Sequence, residues 1–231
     1  MLLAALGAPT PVLVELFTSE GCSSCPPADA LLAELDRGQP VPGAEVVVLS
    51  QHVDYWNRLG WRDPFSAAEF SNRQRDYARA LGLDGVYTPQ MVVDGRSQLL
   101  GSDAGGARET IAAAARAAKA KVRLTIDGTR LRASLGALPV TAGDAADVLL
   151  ALTESGLLSR VTRGENEGRT LWHRGVVRRL SRIGVARAEG FTTETPLALD
   201  TAWRRASLRA VVFVQEQRSR RVLAVGSAWL R

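Results

Sequence analysis

The hydrophobic period of this chain changes near residue 120, and that change limits its folds more than any other feature. Before it, short apolar runs alternate with helical stripes. Val12–Phe17 has strand length and composition. Ala28–Arg37 carries Ala30, Leu31, Leu32 and Leu35 as an apolar helical stripe, entered through Pro26-Pro27 and ended by Gly38 and Pro40. Glu45–Ser50 reads as a second buried strand. Ser66 to about Leu81 reads as a helix, with Ser66 as cap and Glu69 in capping-box position. Gln90–Val93 and Ser97–Leu100 flank Asp94-Gly95, a strong hairpin signal. A final Ala-rich helix runs from Ser102 or Asp103 to near Ala120. The expected order is β-α-β-α-β-β-α.

After Ala120 only strands are expected. Val122, Leu124 and Ile126 alternate with polar residues, Asp127-Gly128 turns, and Leu131, Ala133 and Leu135 alternate again. Asp147–Thr153, Leu157–Thr162, Thr170–Leu180, Leu208–Gln217 and Val222–Leu230 supply further strands. The fold class expected is therefore α/β for residues 11–120, followed by a smaller all-β, antiparallel sandwich-like domain over 121–231. A length of 231 residues accommodates two such domains. Charge divides at the same place. Residues 1–119 carry a net −4 and residues 120–231 a net +9, nearly all of it arginine. No nucleic-acid motif and no long basic run accompanies that charge, so nucleic acid is not an expected partner. No apolar stretch reaches 18 residues, so membrane insertion is not expected either. Residues 1–10 read as the remnant of a signal peptide or as a short frayed leader.

The chemistry concentrates in Cys22-Ser23-Ser24-Cys25, which holds both cysteines of the chain between the first strand and the first helix. A sulfur at a helix start lies near unpaired N–H groups and the positive end of the helix dipole, and both favour thiolate. A second cysteine three residues on can resolve a mixed disulfide. Two other readings stand beside the redox one. The pair can be a permanent structural disulfide, or half of a metal site completed by His52 or His173. Zinc pairs of this spacing normally come with a second close pair, which is lacking here.

Four other features accompany the pair. Thr88-Pro89 directly precedes a strand. Glu15 lies among apolar neighbours in the first strand, either as a buried carboxylate that relays protons between sulfurs or on a solvated edge. His52, Asp54, Tyr55, Trp56 and Trp61 follow the second strand, where α/β sites form. A structural histidine and a packed aromatic loop are the plain readings there. The loop Arg163-Gly164-Glu165-Asn166-Glu167-Gly168-Arg169 reads as a hairpin tip, or as an interaction loop facing the dithiol or a partner.

The stretch from Glu15 through Phe17, Gly21, Cys22, Cys25 and Pro27 to Asp29 resembles a bacterial family known as domain of unknown function 1223, which belongs with thioredoxin-like proteins. His52-Val53-Asp54-Tyr55-Trp56-Asn57, Tyr87-Thr88-Pro89-Gln90 and Arg163-Gly164-Glu165-Asn166 extend the resemblance through both halves. It implies a thioredoxin-like fold with an appended β-domain, often in exported proteins, and no defined substrate. From thioredoxins generally it implies Cys22 as attacking thiol, Cys25 as resolving thiol and Pro89, after Thr88, as a cis proline facing them. The chain departs from thioredoxin in three ways. Ser-Ser replaces Gly-Pro between the cysteines, Pro26-Pro27 follow, and Glu15 precedes Cys22 by seven residues instead of six.

The leading expectation is a thiol–disulfide oxidoreductase acting on a protein or small-molecule disulfide or dithiol partner. Its site residues would be Cys22, Cys25, Thr88, Pro89 and Glu15, with no cofactor and no metal. One alternative is a non-catalytic exported binding module with a structural disulfide. A further one is a copper carrier using Cys22, Cys25 and His52. A periplasmic or secreted location is expected, although a redox motif of this kind also works in the cytoplasm.

Overall fold

A computed structural model describes residues 8–138 and 145–230. The leader expected over residues 1–10 therefore lies largely outside the described residues. Thr10–Thr18 (β1) and Ala44–His52 (β2) pair in parallel, with Thr10 opposite Ala44 and Thr18 opposite His52. No tight turn can join parallel strands, and Pro26–Gly38 (α1) makes the crossover. Gln90–Val93 (β3) pairs antiparallel with the other edge of β1, and Ser97–Leu100 (β4) returns beside β3. Asp94 and Gly95 both have positive φ in the intervening turn, as a two-residue hairpin of this hand requires. Only glycine fits at 95, because a Cβ there would meet the Arg220 carbonyl oxygen at 1.9 Å. Ala68–Leu81 (α2) and Ala104–Ala115 (α3) complete the α-helices among the described residues.

The second half begins with Ala120–Lys121 (β5), Arg123–Asp127 (β6), Arg130–Leu135 (β7), Ala146–Glu154 (β8), Leu157–Arg160 (β9) and Thr170–His173 (β10). Val176–Ala186 (β11), Phe191–Pro196 (β12), Leu208–Glu216 (β13) and Val222–Trp229 (β14) follow. The largest sheet has nine strands in the order β4-β3-β1-β2-β11-β8-β13-β14-β5. It crosses the residue-120 boundary through a parallel bridge between Val176 of β11 and Ser50 of β2, supported by the Ser50 N–H donating to the Gly175 carbonyl at 2.8 Å. The architecture is thus mixed α/β, with one large mixed sheet, a three-stranded antiparallel sheet (β12-β7-β6) and the β9–β10 hairpin. Sandwich-like packing is present in the second half. One of its layers, however, continues the sheet of the first half.

Alternation along the strands sorts the core. Val12, Val14 and Leu16 of β1 and Val46 and Val48 of β2 face α1 and α3. Leu13, Val47 and Leu49 point the other way and pack with Phe70 of α2 and with Val177, Val211, Phe213 and Val225 of the second half. The opposite face of β8 and β13, through Val148, Leu150, Leu152 and Val212, meets Leu131 and Ala133 of the small sheet. Each such side chain contributes on the order of 1.5–3 kcal/mol on burial.

Several expectations are corrected. The capping box at Ser66 is absent. The helix starts at Ala68 behind an extended Ala67 with no side-chain cap, and the Ser66 hydroxyl instead donates to the Asp63 carbonyl at 2.8 Å. The long strand expected from Thr170 to Leu180 is two strands, divided at Arg174-Gly175, where Gly175 has φ of +65°. Phe191–Pro196 is a strand that its polar composition conceals. It pairs with β7 rather than burying an apolar face of its own. The Ala-rich helix stops at Ala115, short of Ala120, and Asp103 caps it by accepting from the Gly106 N–H at 2.9 Å.

Candidate functional site

Cys22 and Cys25 form a disulfide with their Cα atoms 5.4 Å apart. Cys25 occupies the N-cap of α1, and Pro26 and Pro27 fill the first helical positions, where a missing N–H costs nothing. The Cys25 carbonyl accepts from the Ala28 and Asp29 N–H groups at 2.9 and 3.1 Å, so the pair is rigidly joined to the helix. The sulfur of Cys22 lies 3.9 Å from the Thr88 carbonyl oxygen and 3.3 Å from the Ser24 hydroxyl. The Thr88–Pro89 peptide bond is cis, and the Gly101 N–H donates to the Pro89 carbonyl at 2.9 Å. Trp56 fixes Thr88 by donating from its indole N–H to Oγ1 at 2.8 Å. The structure therefore brings Cys22, Cys25, Thr88 and Pro89 together.

It does not bring Glu15 to them. The Glu15 side chain points to the α2 face of β1, opposite α1. There it is buried and accepts from Arg73 (Nε, 2.7 Å; Nη2, 2.9 Å), from Gln51 (2.5 Å) and from the Tyr77 hydroxyl. Burial alone would lower the Arg73 pKa, but the adjacent Glu15 carboxylate outweighs it and holds the guanidinium firmly charged. Every acceptor direction of this carboxylate is taken by the Arg73 pair and its neighbours, and a proton-relay role for Glu15 finds no support here.

The cysteines are covered from the second half of the chain. Both have zero solvent exposure, whereas Ser23 and Ser24 between them are exposed. Asn166, from the loop between β9 and β10, is fully buried and donates through Nδ2 to the carbonyls of Glu20 (2.8 Å) and Cys22 (2.9 Å). Glu165 beside it accepts from the Ser23 N–H at 2.9 Å. That backbone hydrogen bond holds the exposed Glu165 carboxyl below its usual range. The loop residues of Arg163–Arg169 thus form the cover of the disulfide as well as a hairpin tip.

Beneath the disulfide, on the α1 face of the sheet, lies a buried polar cluster that only fragments of the sequence hint at. The Glu20 carboxylate receives the His173 ring (Nε2, 2.9 Å) and the Trp61 indole (2.8 Å), while its N–H donates to Asp63 at 2.8 Å. Asp63 also lies 2.7 Å from His52 Nδ1. Burial by itself would lower the His52 pKa, but the Asp63 carboxylate reverses this and raises it above its ordinary value. Burial likewise opposes Asp63 ionisation, and His52 more than compensates, so the Asp63 pKa is lowered. The two imidazoles pack edge to face, 4.9 Å between centroids, and Phe65 completes the stack. Asp29 of α1, which faces these groups, is buried, and its pKa is raised by that burial. His52 and Asp63 pair within one stretch of the chain. The Glu20–His173 pair spans 153 residues, which no periodicity signals.

Among the described residues no group of three His, Cys, Asp or Glu side chains is placed to hold a metal ion. His52 turns its Nδ1 to Asp63, while its Nε2 is buried without a hydrogen-bond partner. No described helix is long and apolar enough to cross a membrane.

Comparisons with other proteins agree with this geometry at the level of family. Among curated proteins none matches the sequence. The X-ray structure of protein AGR_C_4864 from Agrobacterium tumefaciens is 31% identical, with a TM-score of 0.76 over 95% of this chain and 93% of that one. HBP35 of Porphyromonas gingivalis shares the fold alone, at 15% identity and a TM-score of 0.67 over 97% of this chain and 76% of that one. A protein-family match, described as a protein of unknown function (DUF1223), spans residues 13–215, including the Cys22–Cys25 pair, Thr88-Pro89 and the Asn166 loop. With that span matched, and with a solved relative 31% identical over nearly its full length, the chain belongs to the DUF1223 family.

Proposed function

We propose that this protein is a thiol–disulfide oxidoreductase of thioredoxin-like type that uses Cys22 as the attacking and Cys25 as the resolving thiol. The observation that carries the reading is the seat of the disulfide. It opens α1, where the helix N-terminus favours a thiolate, and the sulfur of Cys22 lies 3.9 Å from the carbonyl oxygen of Thr88. In the reductive direction the Cys22 thiolate attacks a substrate disulfide and expels one substrate thiolate. Cys25 then attacks the Cys22 sulfur and expels the other. The substrate gains two electrons, and the cysteine pair gives them up. Thr88 and Pro89 would bound the surface against which the substrate sulfur docks.

A second reading draws on a specific observation. Zero exposure of both sulfurs beneath Asn166 fits a structural disulfide in an exported binding module. Equilibration against glutathione buffers, read by thiol trapping and mass spectrometry, separates the two. A reduction potential between about −270 and −120 mV is expected for the oxidoreductase, and a value below about −300 mV would establish the structural disulfide instead.

A further inference from the structure

Resolution of a mixed disulfide needs Cys25 as a thiolate, so its thiol proton must go to a base. Cys25 is fully buried, and bulk water does not reach it. Glu15 lies on the other face of the sheet in a closed ion pair with Arg73. His52 and His173 each commit one ring nitrogen to a carboxylate, Asp63 and Glu20, and keep the other buried without a hydrogen-bond partner, but both stand off α1, on β2 and β10.

Asp29 stands differently. Its N–H donates to the Cys25 carbonyl at 3.1 Å, so Cys25 and Asp29 are one helical turn apart on the same face of α1. Side chains at that spacing are neighbours, roughly 5–6 Å between Cβ atoms. A helical side chain leans toward the helix N-terminus, which carries the Asp29 carboxyl toward Cys25. Oδ1 of Asp29 is buried and has no hydrogen-bond partner. We propose that Asp29 takes the Cys25 thiol proton when Cys25 resolves the mixed disulfide on Cys22, an inference that rests on the oxidoreductase reading above.

The step balances. The Cys25 proton moves to the Asp29 carboxylate as the Cys25 sulfur attacks the Cys22 sulfur. The Cys22–Cys25 bond forms while the bond from Cys22 to the substrate sulfur breaks. The substrate leaves as a thiolate with the electron pair and takes its proton from solvent. Asp29 returns its proton when an external dithiol reduces the pair for the next turnover.

The surroundings of Asp29 suit this exchange. Burial raises its pKa, while the imidazoles of His173 on β10 and His52 on β2 oppose the rise, as does the Thr18 hydroxyl at the end of β1. Asp63, from the loop before α2, adds to the rise. A carboxyl moved up toward the thiol range exchanges a proton with a thiol at smaller cost than an ordinary one.

The reduced full-length protein, mixed with Ellman's reagent in a stopped-flow instrument, tests the proposal. Attack by Cys22 releases one thionitrobenzoate, and resolution by Cys25 releases a second. In Asp29→Asn the second release is expected to slow by about 10²-fold at neutral pH and to rise with pH only as the Cys25 thiol itself ionises, with Asp29→Glu restoring part of the neutral-pH rate. A second release in Asp29→Asn with the rate and pH profile of the parent overturns the inference and leaves the oxidoreductase reading intact. A parent protein that releases no second equivalent overturns both. Should Asp29→Asn not fold, the Asp29 carboxyl can be titrated by ¹³C NMR in the unsubstituted protein. Different midpoints in the oxidised and reduced forms are expected, and identical midpoints overturn the proposal.

Discussion

At the scale of single residues, the molecule places its ionisable groups in opposed environments on the two faces of one sheet. Glu15 and Arg73 satisfy each other on the α2 face. On the α1 face His52 and Asp63 form a buried pair whose pKa values move apart, and this makes stability depend on pH. The raised His52 pKa means that its contribution is complete below the ordinary value of 6.5 and is lost as pH rises through the folded value. The lowered Asp63 pKa means that its contribution is present above 3.8 and is lost as pH falls through the folded value. Asp29 works in the same direction as His52 on the alkaline side. Its folded pKa is raised, so the native state keeps a proton that the unfolded chain has released, and stability declines as pH rises past 3.8. The melting temperature should therefore peak between about pH 4 and 6.5 and fall toward pH 9. Asp63→Asn should lower the peak and flatten the alkaline fall, because burial then keeps His52 neutral in the folded state. Circular-dichroism melts across that pH range decide the matter, and an unchanged alkaline fall in the variant would count against the pair.

At the scale of elements, the disulfide is held by a helix start on one side and by a hairpin loop on the other. Asn166 satisfies two buried carbonyls, those of Glu20 and Cys22. Asn166→Ala leaves the Glu20 carbonyl without a donor and the Cys22 carbonyl with the Cys25 N–H alone, at 3.2 Å, at a cost of roughly 1–3 kcal/mol for the unsatisfied group. The expected outcome is a lower melting temperature together with faster reduction of Cys22–Cys25 by dithiothreitol, followed by thiol trapping. A reduction rate equal to that of the parent would show that the loop does not limit access. Legibility in the sequence followed locality. The strand–Cys22–Cys25–helix unit and the Asp94-Gly95 hairpin are legible because their cues lie within a few residues of each other. The cover of the disulfide is not, because Asn166 reaches across 144 residues and a polar hairpin tip looks alike whether it faces solvent or a buried carbonyl. The capping box at Ser66 misleads for a related reason. The Ser66 hydroxyl donates to the Asp63 carbonyl and accepts from the Asn57 amide, and these partners win over the local motif.

At the scale of the whole molecule, the residue-120 boundary is visible in charge and periodicity, yet a single sheet and a shared core run across it. Leu13, Val47 and Leu49 are covered by Val177, Val211 and Phe213, so neither half buries its apolar faces by itself. Urea unfolding should give one transition, with coincident midpoints for tryptophan fluorescence and far-ultraviolet circular dichroism. Two separated midpoints would show that the halves unfold independently. The same long-range dependence orders events in time. A ribosome makes Cys22 and Cys25 well over a hundred residues before Asn166 and, at about 5–20 residues per second, some 7–30 seconds earlier. Throughout that interval the nascent pair has no cover, so the growing chain offers its sulfurs to cellular oxidants and reductants on terms that the finished molecule withdraws.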